Sequence, residues 1–228
     1  MHSARVSTGI PGLDTHLEGG LPRNRCVMVS GDTGTGKTTF GVQFLMEGIR
    51  NGEPGVLVSV DQKPQHVVED AVGFGWNLAD ASERKQLALL NASPYFTASR
   101  GKPGLDAPSV ARDLAQQVRR MQAKRLVIDS LTSLVPLGAT LEEAQGFLRA
   151  LFFSLDDNLE CTVVMTAHTS YAGEHAPAAR LAEVFASGLF ELKRSAQGRS
   201  VTIHKMHGTS IEQLEHPLQI VRERGIVL

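Results

Sequence analysis

At 228 residues, with 42% hydrophobic and 21% charged side chains, the chain has the size and balance of one soluble α/β domain. A domain of that length buries a sizeable core without metal or disulfide staples. The formal net charge of −1 excludes a chain-wide basic footprint for nucleic acid, and no apolar run is long enough to cross a bilayer.

The first strong element is "RCVMVSG", a β-rich run ending in glycine, followed by a helix-compatible segment from Lys37 to Arg50. "GVLVSV" reads as a second buried strand, and Pro64 is placed to open a helix through "PQHVVEDAVGFG". "QLALLNAS" is a third strand, and "SPYFTASRGKPGLDAPS" a surface loop without periodicity. The helix "SVARDLAQQVRRMQA" sets Val110, Leu114, Val118 and Met121 on one face. "KRLVIDS", a long helix "LEEAQGFLRALFFSL" and "CTVVMTA" complete the alternation. Strands alternating with helices require crossovers, hence a mostly parallel sheet. After Ser187 four short strands joined by turns read as antiparallel additions to its edge. The fold class is therefore α/β, one domain over residues 1–228, with a mostly parallel central sheet flanked by helices. Cys26 and Cys161 sit in β-branched apolar runs and read as buried packing in a reducing compartment. "MHSARVSTG" lacks the apolar core of a signal peptide, so a cytoplasmic location is expected.

Between the first strand and its helix, Gly31, Gly34, Gly36, Lys37 and Thr38 form Gly-x-x-x-x-Gly-Lys-Thr. Glycines let backbone N–H groups approach a phosphate without a Cβ in the way, and the helix that follows offers its positive end. The stretch Thr33, Gly34, Thr35, Gly36 is expected to wrap phosphate oxygens, with Lys37 neutralising them and Thr38, followed by Thr39, opening the helix. The Thr38 hydroxyl would complete a magnesium shell. A carboxylate at the tip of a neighbouring strand is then needed for the metal, and Asp129 ends "RLVID". An aspartate there also caps helices, but the phosphate loop favours the metal role.

"STGIPGLDTHLEGGLP" ahead of that loop, then "VLVSVDQKP", "RLVIDSLTSL" and "HKMHGTS", resemble the KaiC-like branch of the RecA-type P-loop ATPases over essentially the whole chain. The resemblance implies ATP with magnesium and a ring of subunits, six being the expected number, with nucleotide at each junction. It also implies a water-polarising carboxylate before "KP", where this chain has Asp61 and Gln62 instead of two glutamates. Asp61 is one methylene shorter and would fall about an ångström short, a misplacement that can cost on the order of a hundredfold in rate. The family's Lys-x-Arg-Gly-Thr, which reaches the neighbouring subunit's nucleotide, is here Lys205, Met206, His207, Gly208 and Thr209. The arginine is a histidine, mostly neutral near pH 7 and without the planar fork, and the later histidine is Ile211. Lys205 keeps one positive charge for that role.

His168 follows the fifth strand, where RecA-type folds place a group that senses the γ-phosphate, although a plain polar loop explains it equally well. His168 and His175 lack metal-ligand spacing, and "RGK" and "QVRRMQAKR" read as solvated faces. The expectation is a slow ATPase acting as timer or switch, with Asp61, Lys37 and Lys205 in the chemistry and a protein signalling partner. Alternatives are a non-hydrolysing ATP-binding regulatory scaffold and a RadA-like DNA recombination mediator, the second disfavoured by the charge.

Overall fold

The computed structural model describes residues 4–92, 107–135, 139–169, 184–211 and 213–228. Most of the loop expected before the amphipathic helix, and the segment carrying His175, lie outside those residues.

The chain begins with a short antiparallel pairing of β1 (Arg5–Val6) with β2 (Leu21–Pro22) around α1 (Leu13–His16). β3 (Cys26–Gly31) runs into α2 (Lys37–Arg50), and β4 (Gly55–Ser59) into α3 (Pro64–Val72), α4 (Leu78–Glu83) and β5 (Leu87–Asn91). Next come α5 (Ala107–Met121), β6 (Arg125–Asp129), a 3-10 turn (Leu131–Leu134), α6 (Leu141–Asn158) and β7 (Thr162–His168). The C-terminal part is β8 (Gly188–Ser195), β9 (Gly198–Met206), β10 (Glu215–Val221) and β11 (Gly225–Val227). All but β1 and β2 join one sheet in the order β11-β10-β9-β8-β3-β7-β6-β4-β5. It is parallel from β8 to β5, and β9, β10 and β11 add in antiparallel fashion. The α/β class with a mostly parallel sheet is thus borne out. One strand differs: β8, expected among the antiparallel additions, pairs in parallel with β3 and only its other edge is antiparallel.

Period-two alternation along each strand builds two cores. Cys26 and Met28 of β3 face one side, with Leu114 and Val118 of α5 and Leu148, Leu151 and Leu155 of α6. Val27 and Val29 face the other, with Phe40, Phe44 and Leu45 of α2 and Val67 of α3. Both cysteines are buried and free, and burial pushes each thiol up to about 12, so neither is a thiolate nucleophile. α6 starts on a capping box in which Thr140 and Glu143 exchange side-chain and backbone bonds.

Two polar residues are built into this apolar frame. Gln43 donates from Nε2 to the carbonyls of Gly9 (2.7 Å) and Ile226 (3.0 Å) and accepts from the Ile226 N–H (2.7 Å). It thereby ties the N-terminal segment and β11 to α2. Arg125, expected on a solvated face, is 1% exposed. Its guanidinium pairs with Glu53 (2.7 Å), donates to the carbonyls of Ser7 and Phe44 (2.7 and 2.8 Å), and lies over the Phe44 ring. A charge that deep is tolerated because every direction of the planar fork finds a partner. Arg119 and Arg120 of the same run are exposed, as expected.

Candidate functional site

Strand register assembles the site. Gly31 at the end of β3 pairs with His168 of β7, and Asp129 at the end of β6 pairs with Ser59 of β4. The carboxyl ends of β3, β7, β6 and β4 therefore form one rim, where ligands bind in open α/β sheets. Gly31, Asp129 and the turn carrying Asp61 share that rim.

The loop from Gly31 to Gly36 leaves β3 and closes on α2. Gly36 caps the helix at φ 112°, and a Cβ there would stand 2.8 Å from Ile220 Cδ1. Gly34, at φ 76°, needs glycine for its backbone rather than for room. Thr33 and Gly34 are exposed at the crest, Thr35 is buried beneath, and Thr39 stands half-buried on the first turn of α2. The Thr35 hydroxyl donates to the Asp32 carbonyl (2.8 Å), which braces the turn. Lys37 is 6% exposed and folds over the loop, with Nζ donating to the carbonyls of Gly31 and Asp32, both at 2.8 Å. Burial pulls its pKa below the ordinary lysine value, and Asp129, Asp32 and Asp61 push the other way. A cation held among three carboxylates in a glycine-lined cradle fits a polyanion such as a nucleoside triphosphate.

Thr38 Oγ1 donates to Asp129 Oδ2 at 2.7 Å, and Asp129 Oδ1 accepts from the Thr166 hydroxyl. The hydroxyl and carboxylate expected around magnesium are thus already side by side, and hard oxygen donors suit that ion. Among the described residues no group of three or more His, Cys, Asp or Glu side chains forms a metal cluster by itself.

Asp61 follows β4 in a turn fixed by the Val60 N–H on the Asp129 carbonyl (2.7 Å) and by Ser59 Oγ on the Gln62 carbonyl (2.7 Å). Its Oδ2 accepts from Ser130 Oγ (2.8 Å) and faces His168 Nε2 (3.4 Å), while its Oδ1 accepts from Ser133 Oγ. Burial raises the carboxyl pKa, but the bonds from His168, Ser133 and Ser130 outweigh it and hold the group below the usual range.

The second motif lies elsewhere. Met206 pairs with Gly188, the first residue of β8, and the His207 N–H donates to the Ser187 carbonyl (2.8 Å). Gly188 in turn pairs with Val27, four residues before Gly31 on β3. At a rise of roughly 3.3 Å per residue this puts Lys205 about 10 Å and Met206 about 13 Å from Gly31 along the strand direction, with His207 and Thr209 beyond them at the opposite rim. Lys205 Nζ donates to the Val184 carbonyl (3.2 Å), and His207 is exposed. Burial lowers the His207 pKa first, and Lys205 and Arg25 lower it further. Thr209 Oγ1 is buried with no partner among the described residues. The Met206 side chain is 5% exposed and packs into the core against Gly188.

Sequence reasoning missed several members of the first rim. Thr166, a lone hydroxyl in an apolar strand, and Ser130 and Ser133, in "DSLTS", were the legible signals. Thr169 Oγ1 donates to Asp32 Oδ1 (2.6 Å), which ties the phosphate loop to the end of β7. Arg199 donates from Nη2 to the Gly34 carbonyl (3.1 Å) and pairs across the hairpin with Arg194. No local motif marks these arginines, because only the β8–β9 pairing carries them to the loop.

Comparison with known proteins agrees with this geometry. A family described as "ATPase: KaiC" matches residues 6–228. A UPF0273 protein from Thermotoga maritima is 33% identical over 241 residues, covering 98% of this chain and 95% of the relative. The circadian clock oscillator protein KaiC of Synechococcus elongatus is 34% identical over 233 residues, covering 98% of this chain and 44% of KaiC. The chain thus spans less than half of that relative. The crystal structure of a KaiC-like protein from Pyrococcus horikoshii superposes with a TM-score of 0.81 at 28% identity, covering 99% of this chain and 98% of the other. With a phosphate loop, a strand-end aspartate and a match along almost its entire length, this chain belongs to the KaiC-like family of RecA-type P-loop ATPases.

Proposed function

We propose that the protein binds ATP with magnesium, hydrolyses it slowly, and works as a nucleotide-timed switch in a head-to-tail cytoplasmic ring, six subunits being the expected size. The observation that carries this reading is the separation of the two motifs. Lys37, Thr38 and Asp129 occupy one rim of the sheet, and Lys205, His207 and Thr209 the other. A single chain cannot bring both to one phosphate. A heterologous contact brings the second rim of one copy to the first rim of the next, and such contacts make a ring when their rotation closes.

In that arrangement the loop N–H groups and Lys37 hold the β- and γ-phosphates. Thr38 and Asp129 would hold magnesium, which when bound neutralises charge on the phosphates. Asp61 orients a water whose oxygen bonds to the γ-phosphorus as the bond to the β-γ bridging oxygen breaks, giving ADP and phosphate. Lys205 of the adjacent copy stabilises charge on the departing group. His207 adds little at neutral pH, since its environment favours the uncharged ring. That observation also supports the second reading, a scaffold that binds ATP without cleaving it and signals its state to a protein partner.

Calorimetry with ATP and magnesium, paired with phosphate release from the assembled protein, tests the proposal. Wild type should bind and slowly release phosphate, and Lys37→Ala should do neither. Binding without release selects the scaffold. Lys37→Ala with unchanged affinity refutes the loop's role.

A further inference from the structure

The side chain of Asp61 is short for its task, yet it is met by three side-chain donors from the described residues. Oδ2 takes the Ser130 hydroxyl and the His168 imidazole, and Oδ1 takes the Ser133 hydroxyl. A carboxylate offers about four lone-pair directions, so among the described residues these three donors leave one, on Oδ1. The donors stand on three different supports: Ser130 directly after β6, Ser133 in the 3-10 turn, and His168 at the end of β7. His168 is itself seated by its backbone N–H on Thr132 Oγ1 (3.0 Å). The turn bearing Asp61 is fixed from below by Ser59 and by the Asp129 carbonyl.

We propose that Ser130, Ser133 and His168 are positioning residues that clamp Asp61 in a single orientation, leaving one acceptor position for one attacking water. The clamp substitutes for the missing methylene: the carboxylate reaches less far but is held without rotational freedom, so no ordering is needed when the water arrives. In this reading Ser133 and His168 act on the water through Asp61. This rests on the reading of Asp61 as the group that orients water.

The clamp has a consequence that chain length alone does not. If reach were limiting, Asp61→Glu would raise turnover. If the clamp is what matters, the longer side chain drives its carboxylate past Ser130 and Ser133 and turnover falls. Steady-state phosphate release should show Asp61→Glu slower than wild type by on the order of tenfold or more, the scale of an ångström-sized misplacement. Ser133→Ala and His168→Ala should each lower kcat by roughly threefold to tenfold with KM for ATP within about twofold, since the lost interaction positions the reacting water only. His168→Gln, which can still donate to Oδ2, should recover part of the loss. Far-UV circular dichroism and thermal melts confirm that each variant folds.

A faster Asp61→Glu enzyme, or Ser133→Ala and His168→Ala with unchanged kcat, overturns the clamp while leaving the ATPase reading intact. A rise in KM with kcat unchanged also overturns it, by assigning these residues to nucleotide binding. A wild-type chain that binds ATP and releases no phosphate overturns both.

Discussion

The Thr38 hydroxyl donates to Asp129 Oδ2 across 2.7 Å, joining the first turn of α2 to the tip of β6. The same carboxylate is held on its other oxygen by Thr166, so its orientation is set before any ligand arrives. Asp129 is only 7% exposed.

That relationship predicts how Asp129→Asn behaves. The amide preserves shape and can still accept from Thr38, but it removes the negative charge that anchors a divalent cation. The magnesium titration of ATP binding should move to higher concentration, by about tenfold or more on the scale of losing one outer-shell anchor. ATP affinity in the presence of a chelator should change much less. A superimposable magnesium curve would reassign Asp129 to a purely structural bond.

His207 supplies a pH test. Its pKa is lowered by burial and by Lys205 and Arg25, so it is neutral at pH 7 and takes up a proton only on acidification. If it faces the neighbouring copy's phosphate, lowering the pH from 7.5 towards 5.5 adds positive charge and should raise turnover. His207→Arg carries that charge at every pH, so it should be faster at pH 7.5 and gain less than wild type on acidification. Phosphate release measured across that window decides. A variant that is no faster and keeps the wild-type profile would remove His207 from the site.

Arg125 sets a stability prediction. Arg125→Met leaves Glu53 with only the longer Arg23 pair (3.5 Å) and removes the guanidinium donor from the carbonyls of Ser7 and Phe44. Breaking a buried pair from one side costs about 3–5 kcal/mol. Glu53 keeps some solvent contact, which places the loss near the lower end, about 3 kcal/mol. Chemical denaturation should show this as a lower midpoint with an unchanged slope. Arg125→Met combined with Glu53→Leu should lose less than Arg125→Met alone, because no half-buried carboxylate is then left behind and Arg23, which loses its partner, is exposed.

What could be read from the sequence was whatever a local pattern dictates. The helix from Lys37 to Arg50 and the order of strands and helices followed from periodicity and glycine punctuation. The phosphate loop was legible because close backbone approach demands glycine, and Asp129 because it ends an apolar strand on the rim where the loop lies. Pairings between distant segments were not. Nothing in "GLFELKR" distinguishes a parallel from an antiparallel neighbour, and β8 has one of each. Arg125 looked solvated beside Arg119 and Arg120, because burial of a cation depends on Glu53 and two carbonyls far along the chain. The bonds on Asp61 come from three separate segments, so its length was visible and its restraint was not. Met206 seemed part of a rim motif, but strand alternation turns its side chain inward.

The central claim is that one ATP site is completed by two copies of the chain, and mixing two defective variants tests it most directly. Lys37→Ala lacks a working loop but keeps Lys205, and Lys205→Ala lacks the reaching lysine but keeps its loop. Each alone should release phosphate far more slowly than wild type. Co-assembled in equal amounts, half the loops are intact and half of those face an intact Lys205, so roughly a quarter of the wild-type rate per chain should return. Activity of the mixture no greater than the average of the two variants measured separately would contradict the account, and would confine the chemistry to a single chain.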